Sequence, residues 1–130
     1  MDRLTIDELL AEARRGLRRV SPQQAEEAIR AVATLVDIRA EAQIAADGTV
    51  ADALVIGRNV LEWRLDPASD HRIADAPGLD EKVIVMCDAG YQSSLAAATL
   101  QRLGFASVTD LDGGFQAWRA AGLPVRPPTL

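Results

Sequence analysis

A single cysteine, Cys87, and a single histidine, His71, stand in 130 residues. One thiol excludes an intramolecular disulfide framework and, with it, a cysteine-rich zinc site. A Cys–His catalytic pair would require Cys87 to meet His71, and nothing in their local sequence brings them together. Aromatic residues make up only 4% of the chain, so Leu, Val, Ile and Ala must fill its core. No apolar run approaches the roughly 18 residues of a membrane span. Residues 1–8 have neither the basic start nor the apolar centre of a signal peptide. These absences point to a soluble, cytoplasmic protein with no membrane partner. Basic excess is missing too: the net charge of −5 at pH 7 argues against nucleic acid, whose phosphates need a positive surface. Arg14-Arg15 and Arg18-Arg19 have acidic residues before and after them and read as a solvated helix face.

What is present alternates between helices and strands. Thr5-Ile6-Asp7-Glu8 has the form of a capping box, and Leu9, Leu10, Ala13 and Leu17 continue it as an apolar stripe, predicting a helix over 6–15. Residues 17–20 suit a short strand. Ser21-Pro22-Gln23-Gln24 is a second helix start, with an N-cap Ser and Pro at N1, and its helix extends to about Arg30. Residues 33–39 form a near-continuous apolar run up to Asp37, as in a central parallel strand covered on both faces. A loop is expected over 41–52, a strand over 53–56 and a helix over 60–65. An exposed connection follows over 68–80. Further strands are expected at 82–86 and 106–111, with helices at 94–103 and 115–121. The proline-rich end, 125–130, reads as extended. This order predicts a three-layer α/β fold, with a mostly parallel sheet of about five strands and helices on both faces.

Within that order Cys87 has a particular place. The run Val83-Ile84-Val85-Met86 stops immediately before it, and a polar loop, Asp88-Ala89-Gly90-Tyr91-Gln92-Ser93, leads into a strong helix former. A thiol is thus expected at the carboxyl end of a strand, where open α/β sheets bind ligands. Gly90 permits backbone angles closed to other residues, so successive N–H groups can turn inward as an anion-binding nest. The nearby helix N-terminus favours thiolate over thiol, whereas Asp88 opposes it if its carboxylate points at the sulfur.

Four segments, in order, resemble the rhodanese superfamily from about Arg19 to Pro124. They are Asp37-Ile38-Arg39; Gly48-Thr49-Val50-Ala51-Asp52-Ala53, with Asp52 where Gly is usual; the loop 87–93, similar to Cys-x-x-Gly-x-Arg-Ser; and Asp112-Gly113-Gly114-Phe115-Gln116-Ala117-Trp118 followed by Gly122-Leu123-Pro124. The resemblance implies one rhodanese-like domain, with a helical extension over 1–17, a core over 18–124 and a tail over 125–130. It also implies a sulfurtransferase in which Cys87 takes sulfur from thiosulfate or a persulfide donor and passes it to cyanide, a thiol or a protein cysteine. No metal and no organic cofactor is implied. Asp88, Ala89, Gly90, Tyr91, Gln92 and Ser93 become the anion-binding loop, and Asp37 and Arg39 its structural support. Gln92 departs from the usual Arg and lacks that residue's charge and fork, so Arg58 and Arg64 are the candidate anion contacts. Trp63 and Trp118 read as packing residues. The alternatives are a non-catalytic binding or regulatory module and an arsenate reductase or phosphatase. The last fits poorly, because neither Gln92 nor Ser93 is basic.

Overall fold

Residues 2–128 are described in a computed structural model. The two capping boxes read in the sequence are formed: Thr5 opens α1 (Ile6–Arg15) and Ser21 opens α2 (Pro22–Arg30). Then come β1 (Thr34–Asp37), α3 (Glu41–Asp47), β2 (Leu54–Val55), a 3₁₀ turn (Arg58–Val60) and α4 (Leu61–Leu65). The chain continues through β3 (Lys82–Met86), α5 (Gln92–Arg102), β4 (Ser107–Asp110) and α6 (Gly114–Ala120). No described helix is long and apolar enough to cross a membrane.

The four strands are parallel and lie in the order β2-β1-β3-β4. After β2 the chain returns to the other side of β1, so the thiol strand β3 lies beside the point where strand order reverses. Crevices at such switch points are where α/β sheets hold ligands. Side chains alternate along β3. Val83, Val85 and Cys87 enter the core with Ala96, Ala97 and Leu100 of α5, while Ile84 and Met86 enter the opposite core with Ala25 of α2 and Phe115 and Trp118 of α6. Helices therefore cover both faces, as the apolar runs require. β1 and β4 end in buried carboxylates, Asp37 and Asp110, which pair in register with Met86 and Val85.

Two expected elements differ. The fifth strand, at 17–20, is reduced to a single bridge between Val20 and Leu111. Only a few residues separate the end of α1 from Pro22, and Pro22 has no N–H with which to continue a ladder. The expected loop at 41–52 contains α3. Its Ala, Glu and Gln residues favour helix, but Ala40 offers no capping side chain, and only Gln43 reaches back to the Ala40 amide, at 3.2 Å. Asp52, where the family has glycine, adopts φ +65°, which shows why glycine suits the position. The tail runs as an extended segment bridged through Arg126 to Thr49; its last two expected residues, 129–130, lie outside the described residues.

Candidate active site

Cys87 follows β3 directly, is 5% exposed, and directs Sγ into the turn that leads to α5. Two backbone amides donate to the sulfur: Gly90 N–H at 3.2 Å and Ser93 N–H at 3.3 Å. The second is one of the helix-terminal donors that α5 leaves without an intrahelical acceptor. The loop can close this tightly because Gly90 adopts φ +87°; a Cβ there would lie 2.7 Å from the Gly113 nitrogen. Gly114 is equally constrained, since its Cβ would meet the carbonyl oxygens of Cys87 and Asp88 at 2.5 and 2.6 Å. The first turn of α6 uses that proximity. Phe115 N–H donates to Cys87 O at 2.9 Å and Gln116 N–H to Asp88 O at 3.1 Å. The Gly-Gly pair of the segment 112–118 is thus a seat for the thiol loop.

The remaining loop residues separate by exposure. Ala89, Tyr91 and Gln92 are exposed and Ser93 is buried. Asp88 accepts from Gln116 Nε2 at 2.9 Å, so its carboxylate is engaged by α6. Gln92, the first residue of α5, borders an open cleft of about 690 Å³ with Arg58, Asn59, Val55 and Val60. Arg58 faces this cleft but donates to both oxygens of Glu62, at 2.8 and 2.9 Å. Arg64 instead reaches the His71 carbonyl at 3.4 Å. His71 is exposed. Trp118 packs as expected, whereas Trp63 is 57% exposed.

Asp37 and Arg39 form a buried ion pair, Nη2 to Oδ2 at 2.8 Å. Arg39 also donates to Gly48 O at 2.7 Å, and the Thr49 hydroxyl donates to Asp37 Oδ2 at 2.6 Å. Arg39 lies over the Phe115 ring, 3.9 Å from its centroid. These contacts tie the end of β1 to the segment after α3.

Sequence reasoning missed a second cluster behind the loop. Arg14 and Arg19 are half-buried, not members of a solvated face. Both donate to Gly90 O, from Arg14 Nη2 at 2.7 Å and Arg19 Nη2 at 2.8 Å. Arg14 Nε also reaches Ser94 Oγ at 3.0 Å. Arg19 pairs with Asp110 at 3.0 Å and with Asp112 at 3.1 Å. The fully buried Asp110 carboxylate accepts in addition from the hydroxyls of Ser93 and Ser94, at 2.7 and 2.8 Å. Burial alone would lower the pKa of Arg19. The bond to Asp110 and the charges of Asp110, Asp112 and Cys87 more than reverse this, so it is raised. The one sequence signal for the cluster is the carboxylate that ends β4, just as Asp37 ends β1.

Comparison with known proteins agrees with this architecture. The chain is 40% identical over 103 residues to the thiosulfate sulfurtransferase GlpE of Ectopseudomonas mendocina, covering 79% of this chain and 85% of that protein. It is 35% identical over 94 residues to a sulfurtransferase of Allochromatium vinosum, covering 72% and 78% respectively. A solved structure from Rhodopseudomonas palustris, described as a protein of unknown function and possible tyrosine phosphatase, superposes with a TM-score of 0.88 at 30% identity and covers 97% of each chain. The rhodanese-like domain profile matches residues 21–121, and the chain belongs to the rhodanese-like domain family.

Proposed function

We propose that the protein is a sulfurtransferase that carries sulfane sulfur as a persulfide on Cys87. The observation that carries this reading is the lone thiol held by two inward-facing amides at the carboxyl end of the central strand. The Cys87 thiolate attacks the outer sulfur of thiosulfate, forming an S–S bond as the donor's own S–S bond breaks and sulfite leaves with the electron pair. The Gly90 and Ser93 amides then face the charge that the terminal sulfur carries. An acceptor thiolate attacks that sulfur, becomes a persulfide and restores the Cys87 thiolate; cyanide would leave as thiocyanate. This is covalent catalysis in two transfers, with ping-pong kinetics.

The residues in front of the thiol qualify the donor. Gln92 brings no charge and Arg58 is neutralised by Glu62, so a small dianion depends mainly on backbone amides. Thiosulfate turnover is accordingly expected to be weak, and a persulfide donor or protein cysteine acceptor suits the open cleft and the exposed Tyr91 ring. In this reading residues 18–124 are the catalytic core, preceded by a helical extension over 1–17 and followed by a tail over 125–130. A cytoplasmic setting, where thiols stay reduced, suits a free nucleophilic cysteine. Phosphatase chemistry is disfavoured, because phosphoryl transfer calls for fixed cationic groups around the anion and positions 92 and 93 hold Gln and Ser.

Incubation with thiosulfate followed by intact-mass measurement tests the reading. Gain of one sulfur atom, lost in Cys87→Ser, is expected. A thiol that stays unmodified by thiosulfate and by a small-molecule persulfide would favour a non-catalytic module.

A further inference from the structure

Two guanidinium groups converge on one loop carbonyl. A carbonyl oxygen has two lone pairs, and Gly90 O receives Arg14 Nη2 at 2.7 Å and Arg19 Nη2 at 2.8 Å. On its other side the same residue gives its N–H to Cys87 Sγ. Both arginines precede residue 21, where the family match begins, so the clamp comes from chain in front of the matched span.

The charged groups around the sulfur make the clamp more than a brace. Arg14 comes from α1, and Arg19 from the segment between α1 and α2. Asp110 and Asp112 come from the end of β4 and the turn after it. Asp88 lies in the loop, held by Gln116 of α6, and Tyr91 sits under Arg14, 5.6 Å from guanidinium to ring centroid. Asp110, fully buried behind Ser93, would by itself oppose a negative charge on the sulfur. Arg19 pairs with it and with Asp112. The front of the loop contributes no compensating cation, since position 92 is Gln.

We propose that Arg14 and Arg19 are positioning residues for sulfur transfer, which clamp Gly90 from behind: Arg19 offsets the charge of the buried Asp110, and Arg14 adds the cation that Gln92 does not. The anionic thiolate and persulfide forms of Cys87 then depend on a segment outside the matched family span. The inference rests on the sulfurtransferase reading for its purpose, but its test does not require sulfur transfer.

The test is the pH dependence of Cys87 alkylation by iodoacetamide in the full-length chain. Arg19→Gln should move the midpoint upward by about one pH unit, the lower end of what an opposite charge contributes, and slow alkylation at pH 7 several-fold. Arg14→Gln should move it in the same direction by less, and Arg19→Lys should recover much of the shift by restoring charge without the fork. A brace with no electrostatic role would lower the thermal midpoint and leave the alkylation midpoint in place, and that result would overturn the inference. If Arg19→Gln does not fold, Arg14→Gln decides, because among the described residues its side-chain bonds go to Gly90 O and Ser94 Oγ; an unmoved midpoint there is equally fatal. Wild-type persulfide formation with unshifted variants would leave the sulfurtransferase reading standing and remove the clamp. Shifted variants without a wild-type persulfide would do the reverse.

Discussion

Two aspartate–arginine pairs flank the thiol strand, one at the end of β1 and one at the end of β4, and they do different things. Asp37 and Arg39 are two residues apart, and both side chains are wholly buried. Their bonds go to Gly48 and Thr49, so they fix the frame. Asp110 and Arg19 are 91 positions apart, and the Arg19 side chain keeps 18% of its surface exposed. Their bonds go to Ser93, Ser94 and Gly90, so they grip the loop that holds the sulfur. The same chemical pair is structural where it is local and sealed. Where it is long-range and partly open to water, it sits against the thiol loop.

The largest expected contrast between the pairs is in stability. Asp37→Ala leaves Arg39 buried without its counter-charge, which typically costs ~3–5 kcal/mol. Asp110→Ala removes hydrogen bonds to a charged acceptor, but Arg19 can turn to Asp112 or to water, so a smaller loss of ~1.5–3 kcal/mol is expected. Urea denaturation at unchanged slope measures both. Equal losses, or a larger one for Asp110→Ala, would show that burial does not separate the two pairs.

This contrast also marks what was legible in the sequence. Asp37-Ile38-Arg39 carries its partner two residues away, so the pairing is local in the chain. The capping boxes at Thr5 and Ser21 are local in the same sense, and so are the apolar run into Cys87 and Gly90 in its loop. Arg19 gives no such hint. Its partners lie some ninety positions on, and a basic pair near acidic residues looks like any solvated helix face. α3 is hidden in the sequence for another reason: its helical propensity has neither a capping residue nor an apolar stripe to announce it. Residues 17–20 look like a strand, but the helix starting at Pro22 leaves room for one bridge only.

A second way to sharpen the comparison is to add charge in front of the loop, where neither pair reaches. Gln92→Arg places a guanidinium at the mouth of the cleft that Arg58, held by Glu62, does not serve. A bidentate cation suits an oxyanion donor, so kcat/KM for thiosulfate should rise several-fold, read by steady-state thiocyanate formation. An unchanged or lower value would mean that the rear clamp already meets the loop's need for charge.

The smallest effect concerns the helix that carries Arg14. Glu8 accepts the Thr5 backbone N–H at 3.0 Å while the Thr5 hydroxyl accepts the Glu8 N–H at 3.1 Å. The backbone bond first, and the Thr5 side chain second, hold the Glu8 carboxyl below its ordinary value of 4.5, with a slight opposing effect of burial. A carboxyl lowered in the folded state stabilises it above the unfolded pKa, and that contribution disappears as pH falls through the folded value. Wild type should therefore exceed Glu8→Ala in thermal midpoint at pH 7, and the gap should narrow at pH values well below 4.5. Alkylation of Cys87 at pH 7 should slow slightly in Glu8→Ala if fraying at the start of α1 reaches Arg14, two turns further on. A gap that is constant with pH would separate the cap from the charge on Glu8. An unchanged alkylation rate would confine the long-range grip on the loop to Arg14 and Arg19 themselves, independent of how firmly α1 begins.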